Sequence, residues 1–301
     1  MVMKMYLLQQ IEEITIEYND ARKNIVEFIL QEDIDLTQFT MQEIANKTYT
    51  SKATLVRFAK TLGFSGWNDF MKSYSKEMML KNKYQLSVDV NLPFKSDDTT
   101  DDIINNLCQL QMETLQQTKD LNKVENFKQA ATILLNSKRI VVFCVSNNIH
   151  SANLFKNKML PIGIEVIVCE NDDGIYWASL LNDNDCAIVI SYTGNNRIRE
   201  PEFFIEILKT NRVKIISITS IGDNYISKNA DCCLYMVSKE KLYSKIANFS
   251  TEQSLLYLLN CLYAVVFSNN YDQYLNRKVK NAKHYERTRK SILNLINEDK
   301  D

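Results

Sequence analysis

The stretch FTMQEIANKTYTSKATLVRFAKTLGFSGWNDF, residues 39–70, decides the fold of the first part of this chain. Thr40 followed by Glu43 is a capping-box pattern and predicts a helix start. Ser51 can cap a second helix, which Gly63 would end. The apolar residues of this second helix recur at the spacing of a core-facing stripe: Leu55, Phe58, Ala59 and Leu62. Two short helices joined by a tight turn have the layout of a helix-turn-helix, whose second helix enters the major groove of DNA.

The polar side of the second helix supplies the candidate DNA contacts, which are Ser51, Lys52, Thr54, Arg57 and Lys60. We expect Ser51 and Lys52 to enter the groove first, and Arg57 and Lys60 to hold phosphates or base edges. The charge distribution agrees, because the net charge is −6 over residues 1–43 but +4 over residues 44–80. A mixed-charge run is usually only a solvated helix face, but here a helix-turn-helix pattern lies beneath it.

The pattern Ser-x-x-Thr-x-x-Arg-Phe-x-x-x-Leu-Gly-Phe-x-Gly over residues 51–66 resembles the N-terminal domain of the RpiR/MurR transcriptional regulators. The resemblance implies that residues 1–80 form a helix-turn-helix domain that binds a double-stranded DNA operator. One departure is Tyr49, which stands where the motif usually has glycine. The two helices are therefore expected to meet at a slightly different angle.

The composition of the whole chain is that of a soluble globular protein with two domains. Its seven cysteines are odd in number and form no Cys-x-x-Cys pair, so neither a zinc site nor a disulfide framework is predicted. No motif calls for a metal or a cofactor. The N-terminus lacks a signal-peptide core, and the longest apolar run, residues 255–267, is too short to span a bilayer. We expect a cytoplasmic protein without membrane contact.

Residues 81–100 lose helical periodicity and are predicted to be a linker. Asp101 or Asp102 is expected to cap the next helix. From Arg139 onward, short apolar runs alternate with helical segments, and the runs are Ile140–Val145, Ile164–Cys169, Cys186–Tyr192, Val213–Thr219 and Cys232–Val237. Such runs are typical of a parallel sheet covered on both faces. The predicted fold class is therefore α/β, with an all-α helix-turn-helix domain followed by a three-layer, doubly wound parallel-sheet domain over residues 101–301.

The segment from Ile190 to Asn196 ends the third run and precedes a helix predicted over residues 198–210. Hydroxyls, a glycine and free amides at a helix start can cradle an anion. The segment resembles the Ser-x-Ser-Gly-x-Thr loop of SIS (sugar isomerase) domains, which hold sugar phosphates. The resemblance implies phosphate contacts from Ser191, Thr193 and Asn196.

The loop after the first run departs from the SIS pattern. SIS regulators commonly have Gly-x-Gly-x-Ser there, whereas this chain has Cys144 and Ser146 in place of the two glycines. The backbone should then approach an anion less freely, although Ser146, Asn147 and Asn148 can still donate hydrogen bonds to a sugar phosphate.

These features together favour a sequence-specific regulator of sugar-metabolism genes that is not an enzyme. Its operator affinity would be controlled by a phosphorylated sugar, and it would act as a homodimer or homotetramer. One alternative is a sugar-phosphate isomerase or lyase, for which His150 and Glu252 are the candidate bases. Another is a regulator whose SIS domain serves only for dimerisation.

Overall fold

The computed structural model describes residues 7, 11, 21–30, 35–83, 87–170, 173–195, 200–222, 224–237, 239–241 and 243–285. The chain forms two compact units, Met1–Ser87 with Ile221–Asp223, and Val88–Ser220 with Asn224–Asp301. The main division lies between Ser87 and Val88, inside the predicted linker. The predicted domain limits at residues 80 and 101 stay predictions.

In the described part of the first unit, the α-helices with defined bounds are α1 (Ala21–Ile29), α2 (Met41–Lys47), α3 (Lys52–Thr61) and α4 (Trp67–Lys83). The capping box is confirmed, because the Glu43 amide donates to Thr40 Oγ1 at 3.3 Å and the Thr40 amide donates to Glu43 Oε2 at 2.7 Å. Leu55 and Phe58 of α3 are fully buried against Ile44 of α2. The stripe read from the sequence is thus the core of this unit.

The second unit alternates helices and strands. Its helices are α5 (Thr100–Leu121), α6 (Val124–Asn136), α7 (Asn148–Met159), α8 (Gly174–Leu180), α9 (Ile205–Thr210), α10 (Tyr225–Asn229), α11 (Phe249–Asn269) and α12 (Tyr271–Tyr285). Its strands are β1 (Ile140–Phe143), β2 (Val166–Val168), β3 (Cys186–Ser191), β4 (Lys214–Ser220) and β5 (Cys232–Met236). Each strand lies within one residue of a predicted apolar run or inside it.

The five strands form one parallel sheet in the order β2-β1-β3-β4-β5. One face packs on α6, α7 and α11, with Val142, Ile188 and Ile218 in that core. The other face packs on α8 to α10 and buries Val141 and Val189. The three-layer α/β fold is confirmed. The strand order reverses between β1 and β3, which places the expected ligand crevice at their carboxyl ends.

Two local predictions were wrong. Thr99, not Asp101 or Asp102, caps α5, and Asp102 acts at the third position of a capping box. The residue that accepts the first amide must precede the helix, and Asp102 already lies inside it. The helix predicted over residues 198–210 is α-helical in the described residues only at Ile205–Thr210, after a 3-10 turn at Glu202–Phe204, and residues 198 and 199 lie outside the described residues. Pro201 lies directly before this turn, and a proline interrupts a helix because it has no backbone N–H to donate.

None of the helices in the described ranges combines the length and apolar character that a bilayer crossing requires.

Candidate functional site

The α3 helix presents a cationic face to solvent. Lys52, Arg57 and Lys60 are all exposed, while Leu55 and Phe58 on the opposite side are fully buried. The sequence of α3 contains no acidic residue to neutralise these charges. An exposed basic helix face of this kind can contact DNA phosphates and base edges.

Ser51 and Thr54 have a structural role at the start of α3. The Thr54 amide donates to Ser51 Oγ at 3.2 Å, and the two hydroxyl groups lie 2.9 Å apart. Ser51 therefore caps α3, as the sequence predicts. Ser51 is exposed and Thr54 is half-buried, so each hydroxyl has a hydrogen-bonding capacity beyond this pair.

The turn between α2 and α3 keeps a glycine-like backbone although it has no glycine. Tyr49 adopts a φ of 53°, in the left-handed region, and its side chain is 89% exposed. The turn is closed by the Thr50 amide, which donates to the Ala45 carbonyl at 2.8 Å. Tyr49 thus occupies the left-handed conformation for which glycine is ordinarily chosen.

The loop after β3 lies at the carboxyl edge of the sheet. Ser191 is buried, and its hydroxyl donates to Glu202 Oε1 at 2.6 Å and accepts from the Gly194 amide at 3.3 Å. Thr193 beside it is half-buried. Asn196 lies outside the described residues, so only two of the three predicted phosphate contacts in this loop can be placed.

Gly194 fits its position for two reasons. Its φ is 64°, and a Cβ atom there would lie 2.6 Å from the side chain of Asn224 and 2.7 Å from Thr219 Oγ1. Asn224 is fully buried, and its Nδ2 donates to Thr219 Oγ1 at 3.0 Å and to the Ser220 carbonyl at 3.1 Å. Asn224 and Thr219 therefore leave room only for glycine at this position of the loop after β3.

The loop after β1 also keeps a left-handed position without glycine, because Ser146 has a φ of 54°. Ser146 and Asn147 are exposed and Asn148 is half-buried. Asn147 Nδ2 donates to Glu252 Oε1 of α11 at 2.9 Å. Cys144, in the place of the first glycine, is buried, and burial together with the nearby Glu170 carboxylate raises the pKa of its thiol to about 12.

A cavity of about 190 Å³ opens beside the β1 loop. Its lining includes Ser146 but neither Ser191 nor Thr193, so it is not the serine loop itself. Three carboxylates line it, from Glu170, Asp173 and Glu200. A cluster of this sign disfavours a phosphate group in the cavity.

Comparison with known proteins places both units in families. Residues 5–81 match the helix-turn-helix domain of the rpiR family, and residues 133–265 match the SIS domain. An uncharacterised HTH-type transcriptional regulator of Clostridium perfringens, CPE0189, is 25% identical over 92% of this chain and 97% of its own length. The chain is a member of the RpiR family.

Two further similarities agree with this RpiR-family membership. The HTH-type transcriptional regulator RpiR of Escherichia coli K12 is 23% identical over 71% of this chain and 69% of its own length. The structure of the Vibrio vulnificus NanR protein complexed with ManNAc-6P has a TM-score of 0.58 at 18% identity, and the match covers 95% of this chain and all of that one. At that identity the structural likeness concerns the fold.

Three side chains at the carboxyl edge of this RpiR-family SIS domain were missed by the sequence reasoning. They are Glu202, which accepts from Ser191, Asn224, which braces Gly194, and Glu240, which lies at the start of α11. Glu202 directly follows Pro201, a helix-start signal that could have drawn attention to it. Glu240 belongs to an irregular segment, and no sequence pattern marks it.

Proposed function

We propose that this RpiR-family regulator binds a specific duplex operator through α3, and that a phosphorylated sugar bound at the carboxyl edge of its SIS sheet controls its operator affinity. The observation that carries the proposal is the presence in one chain of an exposed cationic recognition helix and a serine-glycine loop at the switch point of a parallel sheet. Binding of the sugar would act through different affinities for two arrangements of the protein.

The DNA-binding step rests on α3. Arg57 can make bidentate contacts with a guanine or a phosphate, and Lys52 and Lys60 supply further charge. Ser51 and Thr54 lie at the N-terminal turn, which in this motif lies deepest in the groove. Their hydroxyl groups can bond to the DNA backbone in addition to capping the helix.

The ligand-binding step rests on Ser191, Thr193 and the Gly194 amide, with Asn196 as a further proposed contact. The β1 loop contributes Ser146, Asn147 and Asn148 from the adjacent strand. A phosphate group there would compete with Glu202 for the Ser191 hydroxyl. Because NanR, which shares the fold, is complexed with ManNAc-6P, a sugar phosphate is the ligand class we infer for this chain.

We infer binding without turnover. The two candidate bases are both exposed, His150 on α7 and Glu252 on α11, and Glu252 accepts a hydrogen bond from Asn147. The relatives named as transcriptional regulators support the same view.

We also infer a homodimer, because α5 carries an exposed apolar stripe. Ile104 is 61% exposed and Met112 is 54% exposed, with the exposed Cys108 midway between them on the same side of the helix. Pairing of two copies would bury this stripe and present two α3 helices to two half-sites.

The DNA-binding step is tested with a duplex selected from random-sequence DNA by the wild-type protein. Arg57→Ala should weaken binding at least tenfold. It should also make the plot of log affinity against log salt concentration shallower by about 0.9, the slope that one phosphate contact contributes. Lys72→Ala, an exposed lysine of α4, is the matched control. Equal affinities for the Arg57 variant and the wild-type protein would refute the role of α3.

The ligand-binding step is tested by thermal unfolding with a panel of sugar phosphates that includes ManNAc-6P. A ligand bound only by the folded protein raises Tm by mass action. Thr193→Ala should abolish the shift, whereas Thr132→Ala on the exposed side of α6 should keep it. If no sugar phosphate shifts the wild-type Tm, the SIS domain serves dimerisation alone. Turnover of a panel member would instead establish the isomerase alternative.

A further inference from the structure

Tyr49 combines a strained backbone with a side chain that has no packing partner in the described residues. Its φ of 53° lies in the left-handed region, which is unfavourable for a residue with a Cβ atom. Its side chain is 89% exposed, and none of the described residues forms a hydrogen bond, an ion pair or a ring contact with it. The hydrogen bonds that close the turn come from the backbone and would form equally well with glycine at this position. Folding therefore does not explain why a large aromatic residue stands there.

The turn holds Tyr49 directly before the helix start that is proposed to enter the groove. Ser51, which caps α3, follows two residues later, so the two Cα atoms lie no more than about 7.6 Å apart. The residues on either side of Tyr49 are tied down. Thr48 is buried and donates from its hydroxyl to the Ile44 carbonyl at 2.8 Å, and the Thr48 and Thr50 hydroxyls lie 2.8 Å apart. An exposed phenol is thus carried by a fixed backbone next to the first turn of α3.

The surroundings of Tyr49 attract a negatively charged partner. Residues 44–68 contain no Asp or Glu. They carry four basic residues, all exposed: Lys47, Lys52, Arg57 and Lys60. Tyr49 lies between the first two of these in the sequence. Tyrosine hydroxyls are among the groups that donate hydrogen bonds to DNA phosphates, so a phenol at this place adds a directed contact to a surface that otherwise supplies charge.

We propose that the Tyr49 hydroxyl donates a hydrogen bond to a DNA backbone phosphate beside the base pairs that α3 contacts. The proposal rests on the proposed function and adds a contact from outside α3 to it. A phosphate contact carries no sequence information directly but fixes the register of the protein on the duplex. Tyr49 is therefore a positioning contact for α3. The strained backbone is kept because glycine, although better suited to the turn, has no hydroxyl to donate.

The contact is tested with the full-length protein and the duplex selected by the wild-type protein. Tyr49→Phe removes only the hydroxyl and should weaken binding at least fivefold, since hydrogen bonds to charged groups are the stronger ones. The loss should be the same factor at every salt concentration, because a neutral phenol releases no counterion, whereas Arg57→Ala makes the salt dependence shallower. Tyr243→Phe is the matched control, since Tyr243 is 88% exposed in the second unit, and it should bind like the wild-type protein.

The phosphate is located by replacing the phosphates of this duplex one at a time with uncharged methylphosphonates. At the contacted phosphate, the replacement should weaken binding of the wild-type protein at least threefold more than binding of Tyr49→Phe. At every other phosphate the two proteins should lose the same factor. A difference at none of the phosphates would overturn the proposal, and so would a Kd for Tyr49→Phe within twofold of the wild-type Kd.

Tyr49→Gly separates a DNA contact from a role in folding. Relief of strain should leave the first unit at least as stable to urea as in the wild-type protein, while DNA binding should weaken at least fivefold. A role confined to folding would move stability and affinity in the same direction, and that outcome would refute the contact. If Arg57→Ala weakens binding and neither Tyr49 variant does, the proposed function stands and only the Tyr49 contact is wrong. If the wild-type protein selects no duplex, the proposed function fails and the Tyr49 contact fails with it.

Discussion

Tyr49 is the position at which a single substitution should stabilise the helix-turn-helix unit. It has a φ of 53° and lies between the buried Thr48 and the half-buried Thr50. In the left-handed region a residue with a Cβ atom is less stable by about 1–2 kcal/mol because its Cβ approaches the following carbonyl oxygen. Glycine has no Cβ and adopts this conformation without strain.

The expected magnitude of Tyr49→Gly follows from two opposing terms. Relief of the backbone strain contributes about 1–2 kcal/mol, while the greater freedom of glycine in the unfolded chain costs about 0.4–1 kcal/mol. The side chain is 89% exposed, so its removal costs little buried area. The two ranges differ by about 0–1.6 kcal/mol, so the free energy of unfolding should rise by about 0.8 kcal/mol. Tyr49→Ala keeps the Cβ atom and should change it by less than about 0.5 kcal/mol.

The assay uses urea unfolding of the full-length protein with a tryptophan that reports only on this unit. The chain has two tryptophans, Trp67 in the first unit and Trp177 in the second. In a Trp177→Phe background, fluorescence reports on Trp67, which is 5% exposed in the core of the first unit. With a slope of about 1 kcal/mol per molar urea, the midpoint should rise by about 0.8 M. If the midpoint of Tyr49→Gly is no higher than that of Tyr49→Ala, the strain argument is wrong.

Three predictions concern the second unit and use Trp177 fluorescence in a Trp67→Phe background. Arg139 donates hydrogen bonds to both carboxylate oxygens of Asp185, at 2.6 and 3.1 Å, and Asp185 is 1% exposed. Because Arg139 itself is partly exposed, Arg139→Ala should lower the free energy of unfolding by about 2–3 kcal/mol, less than the loss of a fully buried ion pair would. Burial would raise the pKa of Asp185, but Arg139 and the Asn182 amide hold that pKa below its usual range. The stabilisation is therefore present above about pH 4 and is lost as the pH falls further. The stability of Arg139→Ala should depend less on pH below about pH 4, and an equal loss of stability in the variant and the wild-type protein would contradict this. Thr99→Ala should cost about 1 kcal/mol by removing the α5 cap, and an unchanged urea midpoint would disprove that role. Gly174→Ala would place a Cβ atom 2.7 Å from the Phe204 ring and should cost about 1–3 kcal/mol through overpacking, whereas a gain in stability would show that Phe204 can move aside.

The sequence predicted the elements well because their signals are local and repeated. The stripe of α3 and the five apolar runs each rest on several residues that agree, and burial of those residues is what forms the elements. Single-residue predictions were less secure. Asp101, Asp102 and Thr99 are all able to cap a helix, and the choice depends on where the chain enters α5, which no local pattern fixes.

The candidate site was predicted only in its loops. Ser191 was singled out at the end of an apolar run by its resemblance to the SIS loop. Its partner Glu202, however, comes from beyond a turn, and Glu240 reaches the same edge of the sheet from the segment after β5. Such groups meet only when the chain is folded, and each has the composition of an ordinary exposed acid in the sequence. Periodicity and motifs therefore do not identify carboxylates that reach the site from distant parts of the sequence.

At two positions where the motifs have glycine, this chain has another residue and still adopts a left-handed backbone. Tyr49 and Ser146 stand where their motifs have glycine, and both adopt a left-handed φ, of 53° and 54°. Both positions thus hold a left-handed backbone without glycine, since the surrounding hydrogen bonds outweigh a cost of about 1–2 kcal/mol. The Thr50 amide closes the first turn, and the Ile149 amide, which donates to the Ser146 carbonyl at 3.1 Å, closes the second. What the loop after β1 loses without glycine is the open space next to the backbone, so any ligand there must contact side chains.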